Sequence, residues 1–165
     1  MAINFYFQNL EVYQLGKEIV KDNYQITKTF PHDEKFCLIN QMNRAAISVP
    51  SNIAEGTARS TVKDKVHFIN IAYGSLMELI CQMEIALDLG YIDNDTQEEF
   101  ISKAKNLSIK LSNFKSVIEK TDKSLWSKGI KKFVKLRLDQ SREAIVRNTF
   151  VKLRQKLSRE AVVKQ

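Results

Sequence analysis

Two histidines, two cysteines and 19 carboxylates are the residues from which this 165-residue chain could build a catalytic or metal site. Their spacing does not suit that chemistry. Neither His32 nor His67 has a second histidine at zinc-ligand spacing on the same helix, and Cys37 and Cys81 form no zinc motif. Asp64 and His67 stand three apart on one helical face, but a di-metal bundle needs such pairs on two helices together with further carboxylates. That pair therefore reads as surface. There is no glycine-rich phosphate loop, and Gly74-Ser75 lies inside a helical pattern instead of the strand-to-helix turn a nucleophile elbow requires. The expectation is a non-enzymatic protein with no cofactor and no metal.

Cations are the other chemistry on offer. The net charge of +7 is unevenly placed: residues 1–119 carry 12 Lys and Arg against 15 Asp and Glu, whereas residues 120–165 carry 14 against 4. Phosphate binding needs several convergent cations. The candidates are Lys128, Lys131, Lys132, Lys135, Arg137, Arg142, Arg147, Lys152, Arg154, Lys156 and Arg159, joined in the body by Arg44 and Arg59. Trp126 and Phe133 could stack on exposed bases, or anchor the tail to the body. The same basic amphipathic pattern also describes a solvated helix or one that touches an anionic membrane.

These residues have to be positioned by helices. Five glycines and two prolines suit long helices with short links. Val12, Leu15, Ile19 and Ile26 predict a helix over 9–29, ended by Phe30-Pro31, with Gly16 marking a close crossing. A second helix is expected from His32 or Asp33 to a stop at Gly56, burying Phe36, Ile39, Met42, Ala46, Val49 and Ile53. Thr61 and Asp64 resemble a capping box for a third helix that ends at Leu89 and is capped by Gly90. Its seam is read as Val62, Val66, Ile69, Tyr73, Leu76, Ile80, Met83 and Leu87, with Phe68, Ile71 and Leu79 partly off it. Asp95 and Glu98 suggest a further cap, opening a fourth helix to about Glu119 with Phe100, Ala104, Leu107, Leu111, Phe114 and Ile118 on one side. Both cysteines fall in periodic apolar patterns and are expected to be buried free thiols.

The fold class is therefore all-α: an up-down-up-down four-helix bundle over residues 8–120, with a basic helical C-terminal extension over 121–165. Two apolar patches in that extension, around Ile130–Leu138 and Val146–Leu157, fit a helix that docks on its own bundle or a neighbouring subunit, or one that orders on meeting a partner. The chain begins Met1-Ala2-Ile3-Asn4 without a basic region and apolar segment, and no apolar run approaches membrane-spanning length. A cytoplasmic protein without stable membrane insertion is expected.

The stretch Arg44–Ile53, closed by Ala54-Glu55-Gly56, stands at the centre of this pattern. Ala45, Ala46, Ser48 and Ser51 let neighbouring backbones come close, while Pro50 cannot donate to the carbonyl of Ala46 and should bend the helix or change its geometry. Ser48 or Ser51 could satisfy a freed polar group. Arg44 and Glu55 suit polar contacts at a subunit boundary, or serve as solvated charges. The apolar surface beyond one seam favours self-association over a broad core within a single chain.

The run Asn43-Arg44-Ala45-Ala46-Ile47-Ser48-Val49-Pro50-Ser51-Asn52-Ile53-Ala54-Glu55-Gly56 resembles that of the bacterial four-helix-bundle family found in intervening sequences of large-subunit ribosomal RNA genes. The accessory variability determinant of diversity-generating retroelements is a related member. Leu10-Glu11-Val12-Tyr13, Phe30-Pro31, residues 68–79 and Leu89-Gly90-Tyr91-Ile92 carry further likeness. The resemblance implies a homo-oligomeric ring, usually a pentamer, with Arg44, Ser48, Pro50, Ser51, Asn52, Glu55 and Gly56 as its structural motif. For the retroelement members it implies RNA or DNA and a reverse transcriptase as partners. The chain departs from the pattern at Asn43, where a second basic residue is common, and at Thr57-Ala58-Arg59, where a more aromatic and basic run is common. Both changes thin the positive charge near the motif.

Overall fold

Apolar residues recurring every three to four positions leave each helix one stripe to bury, and the computed structural model brings four such stripes together as an all-α four-helix bundle. It describes residues 5–121, so the cations and apolar patches from Trp126 onward lie outside the described residues. The helices are α1 (Glu11–Thr27), α2 (Leu38–Ala58), α3 (Val62–Asp88) and α4, helical from 94 through 121. Their shared core holds Ile19 from α1, Met42, Val49 and Ile53 from α2, Ile69, Leu76, Leu79 and Met83 from α3, and Phe100, Leu107 and Leu111 from α4. Each such side chain contributes about 1.5–3 kcal/mol by leaving water, which is why the stripes dominate helix propensity here.

Several boundaries differ from the sequence reading, each for a local reason. Residues His32–Phe36 form a separate 3-10 turn, and Cys37, at φ −108° and ψ −109°, breaks the chain before α2 begins at Leu38. Glu34 does serve a helix start, but from outside it: its Oε2 accepts the Leu38 amide at 3.0 Å, and its Oε1 accepts the Tyr91 hydroxyl at 3.0 Å. That second bond raises the Tyr91 pKa above the ordinary phenol value. Phe36, expected in the core, sits on the 3-10 turn at 78% exposure. Cys37 and Cys81 are free but exposed, so their expected burial is corrected.

Gly56 does not end α2, which continues to Ala58. It is buried against α3, where a Cβ would stand 3.1 Å from Phe68 Cβ and 3.4 Å from the Lys65 carbonyl oxygen. Gly16 does mark a close crossing, with Pro50 and Val49 of α2 at 3.5 and 3.6 Å from where a Cβ would lie. The cap of α3 is as expected, Thr61 Oγ1 accepting the Asp64 amide at 3.1 Å. At its other end Gly90 takes φ +70°, and its amide and that of Tyr91 reach the Leu87 and Ala86 carbonyls at 2.9 Å, the paired bonds of a Schellman ending. The α4 cap is Asp93, whose Oδ1 accepts the Thr96 amide at 2.9 Å, and not Asp95.

The buried stripe of α3 is rotated from the expected seam. Leu79 is fully buried and Tyr73 is 38% exposed, because Ala72, Ser75, Leu76, Leu79, Met83 and Ala86 turn inward. Small residues at 72, 75 and 86 set this rotation by letting α3 approach its neighbours closely.

Charge is segregated across α1. Its acidic flank meets α4, where Lys103 bridges Asp22 at 2.9 Å and Glu99 at 2.8 Å, and Lys110 reaches Glu11 at 2.7 Å. The hydrogen bond from Lys103 holds the Glu99 carboxyl below its ordinary 4.5, and the Thr96 cap does the same for Asp93 below 3.8. A carboxyl whose folded pKa is depressed stabilises the fold above its unfolded pKa and stops doing so as pH falls through the folded value. Thermal melts between pH 7 and 3 are therefore expected to show stability falling below about pH 4.5, the unperturbed glutamate value. Glu99→Gln should flatten that acid limb while leaving the Asp93 contribution in place.

Candidate interaction surface

Helix α2 presents three faces, and the residues of the Arg44–Gly56 motif are divided among them. Inward lie Ala45, Ala46, Val49, Pro50, Ile53 and Gly56, all buried. Toward α3, the Ser48 and Ser75 hydroxyls meet at 2.8 Å, and Asn52 Nδ2 donates to the Ser48 carbonyl at 2.7 Å and to Ser48 Oγ at 2.9 Å. The motif serine thus ties two helices at a crossing of small residues, and the asparagine satisfies it. Outward lie Gln41, Arg44, Ser51 and Glu55, exposed and spaced by three, seven and four. The helix remains α-helical through Pro50, with no change of helix type, and the proline packs on Gly16 of α1.

The two body cations proposed for phosphate contact stand in different situations. Arg44 is exposed and has no hydrogen-bond or ion-pair partner among the described residues. Arg59 is engaged twice: it pairs with Glu55, one turn back, and its guanidinium stacks 4.5 Å from the Phe68 ring centroid. Glu55 is therefore an intrachain partner of Arg59 in this structure. The cations from Lys128 to Arg159 lie outside the described residues.

A groove between α1 and α2 was not foreseen from sequence. It encloses about 430 Å³ over Phe7, Tyr13, Val20, Ile47, Pro50 and Ala54, with Lys17, Lys21 and Ser51 at its rim. Lys17 lies 5.7 Å over the Tyr13 ring, and Lys21 has no partner among the described residues. The signal was the i, i+4 pair Lys17 and Lys21 on the flank of α1 opposite Glu11 and Asp22.

Asn43, the residue that departs from the family pattern, has a role the sequence did not reveal. Its Oδ1 accepts Asn23 Nδ2 at 2.8 Å and the Thr27 hydroxyl at 3.5 Å, across the α1–α2 contact. Asn23 is fully buried and its own Oδ1 has no partner. A cation at position 43 could not accept those donors. Asn43→Ala is expected to cost about 1–3 kcal/mol, because a buried amide would lose its acceptor; urea unfolding midpoints at an unchanged slope would measure it.

Among the described residues no group of three or more His, Cys, Asp or Glu could hold a metal, and no helix is long and apolar enough to cross a membrane. Asp64 is occupied with the Thr61 cap, and the His67 ring lies against Phe68 at 5.6 Å.

The family described as 23S rRNA-intervening sequence protein matches residues 8–113. A crystal structure of a protein with unknown function from the S23 ribosomal protein family of Bacteroides thetaiotaomicron is similar in fold. Its TM-score is 0.59 at 20% identity, covering 63% of this chain and 97% of that one. No curated protein matches. The matched span contains the whole of α1, α2 and α3 and most of α4, including the Arg44–Gly56 motif. The chain belongs to the 23S rRNA-intervening sequence protein family.

Proposed function

We propose that this chain is a non-enzymatic, homo-oligomeric, cytoplasmic protein that binds nucleic acid without sequence preference, its bundle running up-down-up-down and its copies closing into a ring, five in number as the resemblance implies. The observation that carries the binding reading is the division of charge: 12 cations against 15 anions in residues 1–119, and 14 against 4 in residues 120–165. A ring would multiply each tail cation by the number of copies, which is what a polyphosphate backbone rewards. The body contributes little, since Arg59 is held by Glu55 and Phe68. The basic extension over 121–165 is the binding element in this reading.

Titration of the full chain with RNA and with duplex DNA, at low and at physiological salt, tests the reading, with solution mass measured on the same samples. Binding that weakens steeply with salt, by an assembled species, is the expected result. No binding even at low salt would sink it. The chain would then be a structural or protein-partner scaffold, with a reverse transcriptase as one partner to try where the gene lies in a retroelement.

A further inference from the structure

The α1–α2 groove is apolar at its floor and basic at its rim, on a body whose charge is otherwise acidic. Its floor is aliphatic where Val20, Ile47, Pro50 and Ala54 meet, which suits apolar side chains of a helix more than flat bases. The aromatic faces that bases would need are partly taken. Phe5 stacks on Phe7 at 6.0 Å, Phe7 meets Tyr13 at 4.9 Å, and Lys17 covers Tyr13. An occupant should therefore be an apolar helical ridge flanked by carboxylates.

The chain displays such a ridge on the outer face of α3. Residues 66–102 contain no Lys or Arg but seven Asp and Glu. Within that stretch Ile85 is 43% exposed, with Glu84 beside it, Asp88 one turn on, and Cys81 and Glu78 one and two turns back. Glu78 is held in place by the Gln82 amide at 3.0 Å. Gly74 leaves the ridge low one turn further back, with nothing within 4 Å of where its Cβ would lie. One molecule thus carries a basic-rimmed groove and an acidic-sided ridge on different helices.

The geometry points to a heterologous contact between two copies of this chain, in which Ile85 of the partner subunit enters the α1–α2 groove and its flanking carboxylates meet Lys17 and Lys21. This rests on the proposed homo-oligomer and deepens it by naming the surfaces that meet. Two different patches on each subunit produce a head-to-tail arrangement, which closes into a ring or runs on as a filament.

Charge exchange in the full chain tests it, read by sedimentation velocity with circular dichroism as the check on folding. Lys17→Glu with Lys21→Glu, and separately Glu84→Lys with Asp88→Lys, should each weaken assembly at least tenfold. Combining all four should restore most of it, since opposite charges again face each other. Ser51→Cys with Cys37→Ser gives a second readout, expected to form a disulfide to Cys81 of the partner subunit under mild oxidation and to run as multimers on a denaturing gel. Assembly unaffected by both reversals, or no recovery on combination together with no crosslink, would overturn this contact while leaving the oligomer standing. A monomeric wild-type chain would sink the oligomer itself. If the reversed variants fail to fold, the crosslink decides alone.

Discussion

Leu79→Ala is expected to lower the stability of the bundle by about 3 kcal/mol, within the 2–5 kcal/mol range for truncating a buried leucine. Leu79 is fully buried in the packed centre of α3, between Leu76 and Met83 on the same inward stripe. The loss combines the transfer energy of the missing carbons with an unfilled cavity, because helices already tied at Ser48–Ser75 and at Gly56–Phe68 have little room to close inward. Against a total of roughly 5–15 kcal/mol for a domain, that is a large fraction. Tyr73→Ala, on the seam the periodicity favoured but 38% exposed, should cost much less. Chemical unfolding of both variants checks the ordering, and a larger loss for Tyr73→Ala would place the core on the other stripe.

The second large effect concerns the tail. Replacing Lys128, Lys131, Lys132, Lys135, Arg137 and Arg142 with glutamine is expected to reduce nucleic-acid affinity by two to three orders of magnitude at low salt. Each lost phosphate contact should also reduce the slope of log affinity against log salt by about 0.9 for duplex DNA. The wild-type chain, if six to ten contacts form, should lose about 10³–10⁵ in affinity between 50 and 200 mM salt. Arg44→Gln should change affinity far less, since it is one cation on an acidic body. Filter binding or fluorescence anisotropy at four salt concentrations would read both numbers. An unchanged slope in the neutralised tail would mean that other cations make the contacts.

Much of the bundle was legible in the sequence because its determinants are local. The Thr61 cap, the Gly90 ending and the Phe30-Pro31 break are set by residues within a few positions of one another. So were the stripes of α1 and α4, where large apolar residues dominate one face. The rotation of α3 was not legible. Apolar residues occur nearly all round that helix, so periodicity alone cannot choose a face, and the choice is made by alanines and a serine that carry little hydropathic signal. Phe36 misled for a related reason: it continues the apolar spacing of α2, but the chain turns at Cys37 before the helix begins. At the motif, the sequence marked the small residues and the proline without telling which neighbour each would meet. Ser48 finds Ser75, 27 positions away, and Asn43 finds Asn23, 20 positions back. Such pairings depend on how helices cross.

Pro50 has a consequence for the order in which the molecule comes together. An α-helix normally gains one backbone bond per residue as it lengthens, but at Pro50 this gain is missing and the ring must be accommodated as well. Helix α2 is therefore poorly able to grow past its middle alone, whereas α3, with 27 residues and a side-chain cap, has no such interruption. The proline ring gains its packing partner when Gly16 of α1 arrives beside it. Folding should accordingly start from α3, with the C-terminal half of α2 consolidating late, on docking to α1. In those terms substitutions around Pro50 would chiefly accelerate unfolding, and substitutions along α3 would chiefly slow folding.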